Sequence, residues 1–193
     1  MIERPQEVEG RERTLDHFRP YLQVLARMQL EPQFQGKVDL SGVVQQTLWE
    51  AHQAWDRVRG QNDAQQAAWL RTILAHNLTD EMRKLGADVR DVLRERSLEA
   101  ALEQSSHRLE AWLTAEQSTP SQQAVRNEQL LDLAEALTQL PDDQRQAVEL
   151  HHLQGHSLAE VAEEMARSKG AVASLLFRGL ENLRRRLNPE EDT

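Results

Sequence analysis

Apolar residues recur every three or four positions along most of this chain, which is the spacing of one face of an α-helix. The pattern covers residues 14–30, 43–55, 67–85 and 130–140, and no useful stretch alternates apolar and polar residues as a strand would. The chain has 193 residues but only 8 glycines and 6 prolines, whereas average usage is roughly 7% and 5%. The sequence therefore predicts an all-α fold.

A polar stretch around Pro120 separates two helical parts of the chain. Residues 88–116 before it carry mixed charge with sparse apolar positions, and residues 116–123 have the composition of a linker. We therefore predict two small helical domains joined by a flexible linker. The expected bounds are 1–100 for the first domain, 101–125 for the linker and 126–193 for the second domain.

Composition and motifs argue against enzymatic chemistry. Cysteine is absent, which removes disulfides, thiolate metal sites and cysteine nucleophiles. His151 and His152 are adjacent, so on a helix their side chains point about 100° apart and do not chelate one ion together. The sequence has no His-Glu-x-x-His motif, Gly-rich phosphate loop or serine elbow. We expect no enzyme activity, no cofactor and no metal.

The first residues lack the basic-then-apolar layout of a signal peptide. No apolar run approaches the roughly 20 residues that a membrane-spanning helix needs. We expect a soluble cytoplasmic protein with no membrane partner.

The net charge of −9 is unevenly distributed along the chain. Residues 128–164 hold nine acidic residues and one basic residue, whereas residues 167–187 hold six basic residues and one acidic residue. A local basic patch is enough for DNA binding, because phosphate contacts are short-ranged at cellular salt. The overall negative charge therefore does not exclude a nucleic-acid partner.

Two helices joined by a tight turn are predicted near the C-terminus. Ser157 and Glu160 have the spacing of a capping box that opens the first helix. After a polar break at residues 166–168, the second helix has apolar residues at helical spacing: Val172, Leu176, Leu180, Leu183 and Leu187. This is the pattern of a helix-turn-helix, whose second helix enters the major groove of DNA. An ordinary αα-hairpin has the same apolar spacing, and periodicity alone does not choose between the two.

This part of the chain resembles region 4 of bacterial RNA polymerase sigma factors. The similar stretches are Leu140–Val148 (LPDDQRQAV), Leu153–Ala162 (LQGHSLAEVA) and Gly170–Ser174 (GAVAS). The resembling group is the two-domain extracytoplasmic-function (ECF) subfamily of the sigma-70 family.

The N-terminal half resembles region 2 of the same proteins. The similar stretches are Val43–Ala51 (VVQQTLWEA), Arg57–Gly60 (RVRG) and Ala68–Leu78 (AWLRTILAHNL). Two sets of motifs in this order, separated by a spacer-like stretch at 118–124, carry the resemblance over most of the chain.

The resemblance implies that region 2 binds the β′ clamp of core RNA polymerase and opens the minus-ten promoter element. The implied polymerase-binding residues are Asp39, Gln45, Gln46 and Glu50. The family usually places acids at the positions of Gly42 and Gln46, so two expected charges are missing here.

The implied minus-ten residues supply cations, amides and one aromatic ring that suit flipped single-stranded bases. They are Arg57, Arg59, Asn62, Trp69, Arg71, Asn77, Arg83 and Lys84. For Trp69 the alternative is a core position, since Leu70 and Ile73 lie on the same stretch.

Region 4 of the family reads the minus-thirty-five element as duplex DNA and contacts the polymerase β flap. The implied DNA-binding residues are Arg167, Ser168, Lys169, Ser174 and Arg178. The family often carries Lys at the position of Ala173 and Arg at the position of Leu175. With these two cations absent, we expect lower affinity for DNA and a flatter dependence on salt.

Three functions agree with these features. The resemblance favours a sigma factor that binds core RNA polymerase and directs promoter-specific transcription initiation, with promoter DNA and an anti-sigma factor as further partners. A stand-alone helix-turn-helix regulator would instead bind a palindromic operator as a dimer without polymerase. A helical adaptor would bind a protein partner and show no salt-dependent binding to DNA.

Overall fold

The computed structural model of this chain describes residues 14–30, 36–58, 61–85, 91–116 and 123–188, without the side chains of residues 57, 91–96, 114–116 and 123–126. Regular secondary structure in these ranges is helical throughout, which confirms the predicted all-α fold. The chain divides into two compact units, Met1–Ser106 and His107–Thr193.

The predicted linker overlaps helical structure. Residues 101–116 continue a helix that begins at Asp91, and residues 117–122 lie outside the described ranges. The two units divide between Ser106 and His107, whereas the predicted bound of the first domain is residue 100.

In the described residues of the first unit, a short helical stretch at residues 14–17 precedes four named helices, the last of which continues past residue 106. They are α1 (Arg19–Met28), α2 (Leu40–Gln53), α3 (Asp63–Lys84) and α4 (Asp91–Glu116), with a 3-10 turn at Trp55–Arg57. Asp39 caps α2, because its Oδ1 accepts a hydrogen bond from the Gly42 N–H at 2.9 Å. Asn62 and Gln65 form a reciprocal capping box at the start of α3. These caps satisfy backbone donors that would otherwise lack partners, so they set where α2 and α3 begin.

The core of the first unit lies where α1, α2 and α3 pack together. Among its fully buried side chains are Tyr21, Leu22, Leu25, Val44, Leu70, Leu74 and Leu78. The Asn77 Nδ2 donates to Thr47 Oγ1 at 3.2 Å, which joins α3 to α2. Because both polar side chains are buried and partnered, they add specificity to the packing without a large desolvation cost.

The described residues of the second unit form four helices and the last turns of α4. The helices are α5 (Gln123–Thr138), α6 (Asp142–Val148), α7 (Leu158–Glu164) and α8 (Lys169–Leu187), and a π-helical segment spans Glu149–Leu153. Pro141 directly precedes α6, and Asp142 and Asp143 lie in its first turn. Carboxylates at this end interact favourably with the positive end of the helix dipole.

Helices α6 and α8 approach each other closely at Gly179. A Cβ atom at this position would lie 2.9 Å from Val148 Cγ2 and 3.5 Å from the Gln144 carbonyl oxygen. One turn later, Asn182 Nδ2 donates to Gln144 Oε1 at 2.8 Å. Because Gly179 has no side chain, α8 can lie directly against α6. This contact and the hydrogen bond of Asn182 orient α8 relative to α6.

The last residues of α4 belong to the packing of the second unit. Leu109 is fully buried. The Trp112 ring stacks on His152, with 5.3 Å between ring centroids and 6° between planes. Arg108 Nη1 donates to the Leu153 carbonyl oxygen at 3.2 Å.

Candidate nucleic-acid interface

Helices α7 and α8, with the turn at residues 165–168, form the predicted helix-turn-helix. The predicted capping box is present: the Ser157 N–H donates to Glu160 Oε2 at 2.7 Å, and the Glu160 N–H donates to Ser157 Oγ at 3.3 Å. The hydrogen bond that the Ser157 backbone N–H donates to the carboxylate is the main cause that lowers the pKa of the Glu160 carboxyl group below its ordinary 4.5. The box therefore holds the start of α7 in place while Glu160 is ionised.

The turn has an unusual backbone conformation at one residue. Ala166 has a φ of 51°, in the left-handed region that a side chain makes unfavourable. Ser168 then caps α8, since its Oγ accepts a hydrogen bond from the Ala171 N–H at 3.2 Å. The packing of α7 and α8 against the same core holds the turn in this shape, because Val161, Ala162, Val172 and Leu176 are buried.

The N-terminal end of α8 carries a basic side chain, whereas an acidic side chain would stabilise the start of a helix. Lys169 is the first residue of α8, it is exposed, and the first turn contains no acidic residue. A lysine here faces the positive end of the helix dipole, which is unfavourable for the isolated protein. The same end favours an anion such as a DNA phosphate, because free backbone N–H groups and a cation converge on it.

One face of α8 is exposed along its first three turns. Lys169, Ala173, Ser174, Phe177 and Arg178 lie on this face. Phe177 is 70% exposed, although it is a large apolar side chain. Leu175, where the family often has Arg, is buried instead and belongs to the core.

Sequence reasoning did not predict the exposure of Phe177. Its register was the available signal, because Phe177 follows Leu176 directly and falls outside the predicted inward series of Val172, Leu176 and Leu180. An aromatic residue out of register with the core of an amphipathic helix points to the surface.

Two of the predicted minus-thirty-five cations have partners within the second unit. Arg167 Nη2 lies 2.5 Å from Asp143 Oδ2, which ties the turn to the start of α6. Arg178 Nε donates to the Ser174 carbonyl oxygen one turn back, at 3.2 Å. The Arg167 and Asp143 side chains are 43% and 52% exposed, so a phosphate can compete for Arg167 at small cost.

The predicted minus-ten residues fall into an exposed group and an internal group. Asn62 is exposed and caps α3, because its Oδ1 accepts from the Gln65 N–H at 2.9 Å. Trp69 is half-buried. Arg83 pairs with Asp80 at 2.7 Å, and Lys84 pairs with Glu81 at 2.9 Å. The pairing with Glu81 raises the pKa of Lys84, which therefore stays a cation.

Arg71 and Asn77 form the internal group. Arg71 Nη1 donates to the Tyr21 hydroxyl at 2.8 Å, and that hydroxyl donates to Ser106 Oγ at 2.9 Å. Asn77 is only 9% exposed and bridges to Thr47. Both side chains are used to hold the helices of the first unit together, so we leave them out of the DNA surface proposed below. The Arg57 side chain and the whole of Arg59 lie outside the described residues.

Three of the four predicted polymerase-binding residues line a groove of about 440 Å³ between α2 and α3. Asp39, Gln46 and Glu50 line it from α2, and Gln46 Nε2 donates to Glu50 Oε1 at 2.7 Å. Asp80, Glu81, His76 and Lys84 line the groove from α3. Gln45 is exposed on α2 outside this lining. Four carboxylates against one lysine and one histidine make the groove acidic.

Gly42 also lines this groove, at one of the two positions where the family usually has an acid. The Asp39 carboxylate occupies the space that a Cβ of residue 42 would need. The Asp39 carboxylate can cap α2 in this position because residue 42 has no side chain.

Sequence reasoning also missed Trp49, which is 57% exposed in the middle of α2. The signal was again the register, because the inward series of Val43, Val44, Thr47 and Leu48 leaves Trp49 on the outer side. No cluster of three or more His, Asp or Glu side chains suited to a metal ion occurs in the part of the chain that the structure describes. The same part contains no helix that could span a membrane.

The all-α fold and the arrangement of α7, the turn and α8 place the protein in the helix-turn-helix class. Residues 130–183 match the family model described as sigma-70, region 4. The chain is 31% identical over 142 residues to the ECF RNA polymerase sigma factor SigL of Mycobacterium tuberculosis, in each of three strains. The alignment covers 74% of this chain and 71% of that relative.

Among solved structures, the chain is similar to the sigma factor RpoE of Bartonella quintana, crystallised in complex with the anti-sigma factor NepR. The alignment covers 92% of this chain and 96% of that chain, at 23% identity and a TM-score of 0.34.

The chain belongs to the ECF subfamily of sigma-70 RNA polymerase sigma factors. It is a specificity subunit that binds core RNA polymerase and directs promoter-specific transcription initiation. Sigma factors in general are not enzymes, and core RNA polymerase and promoter DNA are the partners that the family implies.

Proposed function

We propose that the second unit binds the minus-thirty-five element as duplex DNA, with α8 in the major groove. The observation that carries this proposal is the N-terminal end of α8, where Lys169 replaces the acid that a helix start normally favours. Arg167 and the cap residue Ser168 lie directly before it. Ser174 and Arg178 extend the same exposed face, so base edges and phosphates would both be within reach of α8.

We propose that the first unit docks on core polymerase and holds the separated minus-ten strand. The acidic groove between α2 and α3 is complementary to a basic surface, so Asp39, Gln45, Gln46 and Glu50 would face the β′ clamp. Asn62, Trp69, Arg83 and Lys84, together with Arg57 and Arg59, would hold the strand. The pairs of Arg83 and Lys84 with carboxylates three residues earlier are local and partly exposed, so exchange for phosphates would cost little.

The remaining partners follow from the family. We propose that the second unit contacts the β flap, that an anti-sigma factor sequesters the chain, and that the protein works in the cytoplasm without catalytic activity of its own. Residues 1–106 would act as the region 2 domain and residues 107–193 as the region 4 domain.

Reconstitution with core polymerase tests this proposal. The purified chain is mixed with bacterial core RNA polymerase, and co-elution and run-off transcription from candidate promoters are measured. The proposal requires co-elution and transcripts that depend on the added chain. Tight binding to a palindromic duplex without polymerase would indicate a stand-alone regulator. The absence of both salt-dependent DNA binding and co-elution would indicate an adaptor.

A further inference from the structure

Helix α2 carries an unusually uncharged exposed surface. Glu50 is the one Asp, Glu, Lys or Arg among its 14 residues, although such residues make up 28% of the chain. The exposed side chains of α2 are Ser41, Gln45, Gln46, Trp49 and Gln53. An exposed helix surface without charge is unexpected for a face that only meets water.

Trp49 projects from the centre of this surface. With about 100° between successive residues, Gln45 lies on one side of Trp49, and Gln46 and Glu50 lie on the other. Side chains on a helix lean toward its N-terminus, so the indole of Trp49 leans toward the turn that contains Gln45 and Gln46. Trp49 is 57% exposed, so most of its apolar surface meets solvent in the free chain.

The surroundings of Trp49 have the composition of a protein interface rather than of a free surface. The centre of a protein interface is depleted of charges and enriched in aromatic residues, and its rim is polar or charged. Here the neutral centre around Trp49 is bordered on one side by the acidic groove, through Asp39 and Glu50 on α2 and Asp80 and Glu81 on α3. The matching surface would be apolar and would carry arginine, which stacks on indole and pairs with carboxylates.

We infer that Trp49 is the anchor of the docking surface for core RNA polymerase, against an apolar, arginine-bearing surface of that enzyme. This inference rests on the proposed role of the first unit and names a residue that the proposal does not include. Trp49 supplies through aromatic and apolar contact the affinity that the two missing acids at positions 42 and 46 would have supplied through charge. Contact of this kind depends little on salt, whereas exposed ion pairs weaken as salt is added.

Equilibrium titration of the labelled full-length chain with core polymerase, at low and at high salt, tests the inference. We expect Trp49→Ala to weaken binding by about tenfold or more, as truncation of an interface anchor does. The ratio to wild type should be the same at both salt concentrations. Trp49→Phe should restore most of the affinity, and Glu50→Gln should cause a smaller loss that shrinks as salt rises.

Leu85→Ala is the matched control, because it removes another exposed large apolar side chain of the same unit that lies outside both α2 and the acidic groove. It should leave the affinity for core polymerase unchanged within about twofold, the range expected for a residue outside the interface. Circular dichroism of each variant verifies that the helices are retained.

Two results would overturn the inference. The first is a Trp49→Ala chain that binds core polymerase as well as wild type does. The second is sedimentation that shows a homodimer of the free chain, abolished by Trp49→Ala, because the occupant of the surface would then be a second copy. If the wild-type chain itself fails to bind core polymerase, the proposed function fails, and this outcome differs from a selective effect at Trp49.

Discussion

Ala166 combines an ordinary side chain with a backbone conformation that usually requires glycine. The left-handed conformation costs an L-residue roughly 1–2 kcal/mol, and glycine avoids the cost at the price of a more flexible unfolded chain. The tight turn between α7 and α8 imposes this conformation, and Lys169, the first residue of α8, follows the turn directly.

Replacement of Ala166 by glycine should therefore stabilise the second unit, by about 0.5–1 kcal/mol. The protection of α8 amides in hydrogen exchange measures this change, because it reports on the second unit alone. Gly155→Ala is the control with the opposite sign. Gly155 has a φ of 80°, and no atom lies within 4 Å of the place that a Cβ would take. Alanine at this position should therefore destabilise the second unit by about 1 kcal/mol, only because its backbone conformation is unfavourable. Equal effects of the two variants would contradict this account of the turn.

Gly179 and Gly170 provide a second test at single residues of α8. Alanine at Gly179 would contact Val148 at 2.9 Å and push α8 away from α6, whereas nothing lies within 4 Å of a Cβ at Gly170. We expect Gly179→Ala to destabilise the second unit by about 1–3 kcal/mol, as overpacking does. Gly170→Ala should be neutral or slightly stabilising, since alanine is the better helix former. Hydrogen exchange of α8 amides measures the stability of both variants. If only Gly170→Ala destabilised the second unit, the described packing of α8 against α6 would be contradicted.

At the scale of the element, the start of α7 depends on an ionised carboxylate. The folded pKa of Glu160 lies below its ordinary 4.5. The Glu160 carboxylate therefore contributes fully to stability at pH values above its ordinary pKa. This contribution is lost as the pH falls through the lower pKa of the folded state. We expect wild type to be more stable than Glu160→Gln at neutral pH, and this difference to shrink as the solution is acidified. Hydrogen exchange of α7 amides in both chains gives the difference, and a difference that is constant with pH would contradict the role of the carboxylate.

Arg167 links the helix-turn-helix to α6 through Asp143. In Asp143→Asn, Arg167 loses its ion pair and becomes available to a phosphate. Duplex binding by the holoenzyme should become tighter, and the slope of log affinity against log salt should steepen by up to about 0.9. Asp142→Asn is the control, because Asp142 lies in the same turn but pairs with Arg145. The same slope in both variants would argue that Arg167 does not reach DNA.

Local rules predicted much of this architecture from the sequence. The apolar spacing predicted the helices, and Ser157 with Glu160 predicted the start of α7, since both depend on residues a few positions apart. The contacts of Arg71 with Tyr21 and of Arg167 with Asp143 join residues 50 and 24 positions apart, and no local rule brings such residues together. Asn77 was selected by residue type as a base-binding amide, but its burial depends on the packing of α2 against α3. Trp49 and Phe177 were recognisable by register, yet their exposure became evident only once the cores were assembled.

At the scale of the whole molecule, the chain separates its charges between surfaces. The first unit has an acidic groove beside an uncharged helix face that suits a protein partner, and the second unit has a basic helix start that suits DNA. This separation explains how a chain with a net charge of −9 can function as a subunit of RNA polymerase at a promoter. In the proposed function, core polymerase supplies most of the affinity for the promoter, and α8 needs only a small cationic patch to choose the site.

The central claim is that α8 gives core polymerase its choice of promoter without holding the polymerase itself. The most direct measurement compares wild type with the Arg167→Ala, Lys169→Ala double variant in two assays: affinity for core polymerase, and run-off transcription from a duplex promoter. We predict an unchanged affinity for core polymerase and a fall in transcription of about tenfold or more, since two phosphate or base contacts are lost. An equal loss in both assays, or no loss of transcription, would contradict the claim.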